Sequence, residues 1–143
     1  GWAGVGQHTV LVNPYHMMTV MGAIANGGTY MQPRLTEDGG LFGGGSATGG
    51  SLMTAAQANN LKAMMRDTVS GYYGDWLFPE GLNVCAKTGT GEVSETQEPN
   101  CWMVGFCDND SYPIAFAVLV EESNNSLGAA GGVVSAVLKE LIY

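Results

Sequence analysis

Lys87-Thr88-Gly89-Thr90-Gly91-Glu92 follows directly on the apolar run Leu82-Asn83-Val84-Cys85-Ala86. A cation, two hydroxyls and small residues thus stand at the end of an expected strand. They can offer positive charge, hydroxyl donors and accessible backbone amides to an anionic acyl substrate, which makes them one wall of an acyl-transfer site. The nucleophile that such a wall would serve is not spelled in this chain, because no serine stands three residues before any lysine. The residues therefore read as half of an active site.

The elements that must hold this wall can be read from capping and periodicity. Asn13-Pro14 is a helix start, and Met17, Met18, Met21, Ile24 and Ala25 continue an apolar stripe until Asn26-Gly27-Gly28 stops it. Thr29 to Leu35 reads as a short strand or extended segment, with Pro33 confining it to an edge. From Gly39 to Gly50 seven of twelve residues are glycine, a composition expected of a mobile loop or an engineered splice. A second helix is expected after Thr54, with Gln57 completing a capping box, through Leu61, Met64, Met65 and Val69 to Gly71. Three extended segments follow, Asn83 to Thr90, Cys101 to Cys107 and Ile114 to Glu121, and then an amphipathic helix from Val133 to Ile142. The connections 92–100 and 108–113 are of hairpin length, so an α+β fold is expected, its three C-terminal strands forming an antiparallel sheet packed with helices.

Composition removes several function classes. A length of 143 residues with 45% hydrophobic content suits one globular unit, and a net charge of −8 with five cations argues against a nucleic-acid partner. No apolar stretch reaches the length of a membrane span, so any anchor is expected outside this chain. Cys85, Cys101 and Cys107 have neither the number nor the spacing of a disulfide framework or metal site, although Cys85 could approach Cys107 if their strands pair as a hairpin. His8 and His16 lack ligand spacing, so no metal is expected. Trp102 and Phe106, four apart in one strand, read as core residues, as do the helical methionines.

The order of these residues resembles the C-terminal part of the transpeptidase domain of penicillin-binding proteins, class B-like serine D,D-transpeptidases. In that family a Lys-Thr-Gly-Thr strand, here Lys87 to Thr90, is followed by an aromatic-containing strand, here Trp102-Met103-Val104-Gly105-Phe106. Gly6-Gln7, Asn13-Pro14, Ile24-Ala25-Asn26-Gly27-Gly28 and Pro33 are similar to the segment that precedes it, so two blocks in the right order span most of the chain. His8, Gly91 and Cys101 depart from the usual glycine, alanine and small residue. The family's nucleophilic serine with its lysine, and its Ser-x-Asn triplet, fall upstream of everything present; Ser123-Asn124-Asn125 has the triplet's spelling in the wrong place.

The resemblance implies a parent enzyme that cross-links peptidoglycan stem peptides by serine acyl transfer and binds β-lactams, with no cofactor. It implies a cell-envelope location, on the outer face of the cytoplasmic membrane. Lys87 would hold positive potential over the site, and the hydroxyls of Thr88 and Thr90 would bond a substrate carboxylate. The Thr90 amide would be the second oxyanion donor, and Gly89 would let the acyl group lie against the backbone. The isolated 143 residues are expected to be inert, with the N-terminal half of the same domain as their partner. Apolar surface left bare by its absence would favour self-association. A rival reading takes Gly81 to Thr88 as a shortened phosphate loop, but Ala86 replaces its second glycine and no helix start follows.

Overall fold

In a computed structural model, which describes residues 10–32 and 48–142, Asn13 starts helix α1 (Pro14–Ala25) by accepting the Tyr15 N–H at 2.9 Å. Pro14 fits the first helical position because no intrahelical partner awaits an N–H there. Gly27 and Gly28, at φ 61° and 92°, end the helix in the left-handed region and turn the chain into β1 (Thr29–Met31). β1 pairs antiparallel with β2 (Thr48–Ser51). The last three residues of the glycine-rich stretch are thus strand and not loop, because β1 offers them a ladder; residues 39–47, like Pro33 and Leu35, lie outside the described residues.

Helix α2 (Ala55–Thr68) begins with the expected capping box: Gln57 N–H donates to Thr54 Oγ1 at 3.2 Å and Thr54 N–H to Gln57 Oε1 at 2.9 Å. It does not stop at Gly71. The chain widens into a π turn (Val69–Tyr73) closed by Gly74 N–H on the Val69 carbonyl at 2.8 Å. Gly74, at φ 90°, supplies the left-handed residue that ends it, before a short 3-10 turn at Asp75–Leu77.

The main sheet has the order β3 (Val84–Gly91), β4 (Asn100–Cys107), β5 (Ala115–Val120), antiparallel throughout. β3 starts one residue later than Asn83, which sits at φ 48° and cannot be extended. Helix α3 (Ala130–Ile142) starts three residues before Val133, and Gly131 lies at the seam. A Cβ there would come within 3.1 Å of Met103 Cε, so glycine lets the helix approach β4.

Alternation in the strands divides the core between two faces. Cys85 and Phe106 pack with Met21, Ile24 and Met65 of α1 and α2. Val84, Ala86, Met103 and Cys107 pack with Val69 and Tyr73 of the π turn and Val134 and Leu138 of α3. A two-layer helical cover on a three-stranded sheet is the expected α+β architecture. The same alternation settles the cysteines: Cys85 pairs with Phe106 and Val84 with Cys107, so the two thiols point to opposite faces, and all three cysteines are free and buried.

Candidate active site on the edge of the sheet

Lys87 to Thr90 follow the first three residues of β3, which is an edge strand among the described residues. Val84, Cys85 and Ala86 are buried, whereas Lys87 and Thr90 are exposed and Thr88 and Gly89 half-buried. Two bonds from outside the ladder fix the phase of the backbone. The Arg66 guanidinium donates to the Val84 carbonyl, and Thr88 N–H donates to Tyr73 Oη at 2.9 Å. Even-numbered residues of β3 therefore turn their backbone groups to the outer edge, Thr90 included, while odd-numbered ones face β4.

Side-chain direction follows the same alternation. Lys87 and Gly89 belong to the α1/α2 face, Thr88 and Thr90 to the α3 face. Lys87 curls back to the edge, where Nζ donates to the Thr88 carbonyl at 2.8 Å, and among the described residues it enters no ion pair. Among the described residues its charge thus lies at the strand edge with a backbone carbonyl as its hydrogen-bond acceptor. The two cations of α2 are engaged elsewhere: Lys62 with Asp108 at 2.6 Å and Arg66 with Asp75.

Each threonine has a hydroxyl partner on the α3 face. Tyr73 Oη lies 2.9 Å from Thr88 Oγ1 as well as from its N–H. Ser126, in the loop before α3, donates from Oγ to the Gly89 carbonyl at 2.9 Å and lies 2.8 Å from Thr90 Oγ1. Neither Tyr73 nor Ser126 was legible as a site residue in the sequence, since the first sits 15 residues from Thr88 and the second 36 from Thr90. The only local hint was Gly74, whose position makes Tyr73 the end of a turn.

Gly89 is not required by packing among the described residues. A Cβ there would meet Trp102 Cβ at 3.5 Å, an ordinary contact. Gly105, by contrast, is locked, because a Cβ would overlap the Cys85 carbonyl, Phe116 and Ala86. Phe106 is fully buried as expected of core, while Trp102 is half-buried beside Gly89. Two concavities lie away from this edge, one of about 590 Å³ between α1 and the turn at Asp108–Pro113, the other of about 360 Å³ between Arg66 and Trp76. Along this edge the Val84 carbonyl, the Thr88 N–H and the Thr88 carbonyl already hold Arg66, Tyr73 and Lys87, so the candidate site is a strand edge partly engaged by side chains of its own chain.

The phosphate-loop alternative fails on position. Lys87 and Thr88 sit inside a strand, not at the first turn of a helix, so no fan of amides surrounds a phosphate there.

The penicillin binding protein transpeptidase domain model matches residues 2–143, and the chain belongs to that family. It is 28% identical over 149 residues to the peptidoglycan D,D-transpeptidase PbpA of Mycolicibacterium smegmatis, covering 95% of this chain and 29% of that protein. It is 29% identical over 147 residues to PbpA of Mycobacterium tuberculosis, with the same coverage. The fold is similar to that of penicillin-binding protein A from M. tuberculosis in its imipenem acyl-enzyme complex, with TM-score 0.82 and 24% identity over 99% of this chain and 33% of that one. It is also similar to Pseudomonas aeruginosa PBP2 in complex with WCK 5153, with TM-score 0.78 and 21% identity over 98% of this chain and 31% of that one. The chain thus spans less than a third of the length of the PbpA relatives it matches.

Proposed function

We propose that these 143 residues are the C-terminal portion of the transpeptidase domain of a serine D,D-transpeptidase, which cross-links peptidoglycan stem peptides and is acylated by β-lactams. The observation that carries this reading is the exposed Lys87-Thr88-Gly89-Thr90 edge of β3, in a chain of the transpeptidase family. The serine comes from outside the 143 residues. Its Oγ attacks the carbonyl of the terminal D-alanyl-D-alanine bond, and the oxyanion rests between the serine's own amide and the Thr90 amide, which the strand's phase turns to the outer edge. The bond to the leaving D-alanine breaks, and an acceptor amine then takes the acyl group. In a β-lactam the ring amide opens instead. Lys87 supplies positive potential, Thr88 and Thr90 line the place of the substrate carboxylate, and the missing side chain of Gly89 keeps the strand low under the acyl chain.

The partner of this chain is the N-terminal half of the same domain, and the parent acts in the cell envelope, on the outer face of the cytoplasmic membrane, with its anchor outside this chain. No helix among the described residues is long and apolar enough to cross a membrane. By itself the chain is inert and self-associates, for Leu11, Tyr72 and Trp76 expose 92%, 89% and 81% of their surface. A clean monomer on gel filtration would count against that last point. Fluorescent penicillin tests the main one: the full-length protein is labelled covalently and the isolated chain is not. Absence of label on the full-length protein overturns the transpeptidase reading, and label on the isolated chain overturns its inertness.

A further inference from the structure

Gly22 stands inside α1, where glycine destabilises a helix relative to alanine. Packing does not require it, because a Cβ there would meet Ala115 Cβ at 3.8 Å, an ordinary contact. It does line the concavity of about 590 Å³ between α1 and the turn at 108–113, a volume in the range of sites for small molecules. The walls are apolar and adaptable. Met18 and Ala25 of α1, Met31 of β1, and Ile114 and Ala115 contribute to them, and the unbranched, polarisable methionine side chain moulds to an apolar guest. The charge at the rim has one sign. Asp108 and Asp110 line the concavity, and no lysine, arginine or histidine does so among the described residues. Asp108 is paired with Lys62 at 2.6 Å, whereas Asp110 is exposed and enters no ion pair or side-chain hydrogen bond among the described residues.

We propose that this concavity binds a small amphipathic amine, whose apolar body lies between Met18, Met31 and Ile114 and whose ammonium reaches Asp110. Charge complementarity selects the cation: an anion of the same shape would face two carboxylates, and a neutral ligand would gain nothing from either. The carboxylate is held ready. Asn109 Oδ1 accepts the Ser111 N–H at 2.8 Å and the Tyr112 N–H at 3.2 Å, and Asn109 Nδ2 donates to the Gly81 carbonyl at 3.0 Å, so the turn that carries Asp110 is fixed from both sides. Rigid placement spares the ligand the cost of ordering the loop. The concavity is separate from the edge of β3, since Cys107 in its lining and Cys101 opposite Thr90 are six residues apart on β4, about 20 Å at roughly 3.3 Å per residue. An amine there does not contest the place of the acyl substrate.

The test uses the full-length protein and three probes of one skeleton, 3-phenylpropylamine, 3-phenylpropan-1-ol and 3-phenylpropanoate, with dissociation constants read by ligand-observed NMR at low ionic strength. Wild-type protein is expected to bind the amine about three- to fivefold more tightly than the alcohol, the scale of one exposed ion pair, and the acid least. Asp110→Asn should bring the amine to the alcohol's affinity while leaving the alcohol's own affinity and the Tm unchanged, since Asp110 has no partner among the described residues. Gly22→Leu should fill the concavity and abolish binding of all three. Equal binding of amine and acid, an amine preference that survives Asp110→Asn, or a folded Gly22→Leu protein that binds as the wild type does overturns the proposal. So does a wild-type protein that binds none of the probes; the concavity is then filled by chain outside the described residues or by a second copy, and a shift toward monomer in Gly22→Leu identifies the second copy.

Discussion

At the level of single residues, Lys87 and Gly89 separate what serves the fold from what serves the edge. Lys87 is exposed, and its hydrogen bond among the described residues is to the neighbouring Thr88 carbonyl, so its removal costs the fold little. In the full-length protein, Lys87→Ala is expected to slow penicillin acylation by about 10²-fold, the scale of losing one electrostatic contact to developing charge, with Tm unchanged. Stopped-flow acylation and a thermal melt check both halves. The two strand glycines give a paired prediction. Gly105→Ala forces a methyl into the Cys85 carbonyl and Phe116 and is expected to destabilise by about 1–3 kcal/mol. Gly89→Ala meets Trp102 at an ordinary distance and should leave stability intact while lowering acylation. Equal loss of stability in the two would show that Gly89 is a packing residue. The four residues proposed for the site could be picked out in the sequence because Lys-Thr-Gly-Thr is contiguous on one strand. Tyr73 and Ser126 were not, because only the folded chain sets them beside Thr88 and Thr90.

Among elements, starts were easier to read than ends, for a physical reason. A helix begins where a side chain satisfies nearby N–H groups, and Asn13 and Thr54 do so within three residues of themselves. Thr54→Ala removes both bonds of the capping box that involve its hydroxyl and should cost about 1 kcal/mol, read as a lower urea midpoint with unchanged slope. Ends depend on what the chain meets next. α2 gives way at Val69 to a π turn that carries the chain past Gly71 to Tyr73, which meets Thr88, and α3 begins three residues early because Gly131 closes on Met103. Arg66 shows the same dependence, joining α2 to the Val84 carbonyl and to Asp75, which ties the helix to the buried half of β3.

For the molecule as a whole, the sheet is covered on both faces, and its thiols record that burial. Desolvation pushes the Cys85 and Cys107 thiols from the ordinary 9.0 up to about 11, with Asp108 adding to the effect on Cys85. A folded-state value above the unfolded one means that the native state holds its protons more tightly. The stability this represents is complete below pH 9, and it is lost as the pH rises from about 9 through 11. Urea midpoints of the chain should fall across that window, and replacing both cysteines by alanine should flatten the fall. Thiol reagents at pH 8 should label these two groups only on unfolding, since each lies under one of the two helical layers.

What the sequence determined by itself were the local facts: two capped helices, three strands with hairpin-length connections, and a lysine, two threonines and a glycine at the end of an apolar run. Each is set by neighbours a few residues apart, where hydrogen-bond reach and side-chain alternation act directly. The tertiary structure alone decided which face each strand residue took, that Cys85 and Cys107 never meet, that Thr48–Ser51 is a strand, and that a tyrosine and a serine flank the site. These depend on strand register and on the close approach of segments far apart in the chain, and a shift of one residue in the β3–β4 ladder would have reversed every side-chain assignment among them.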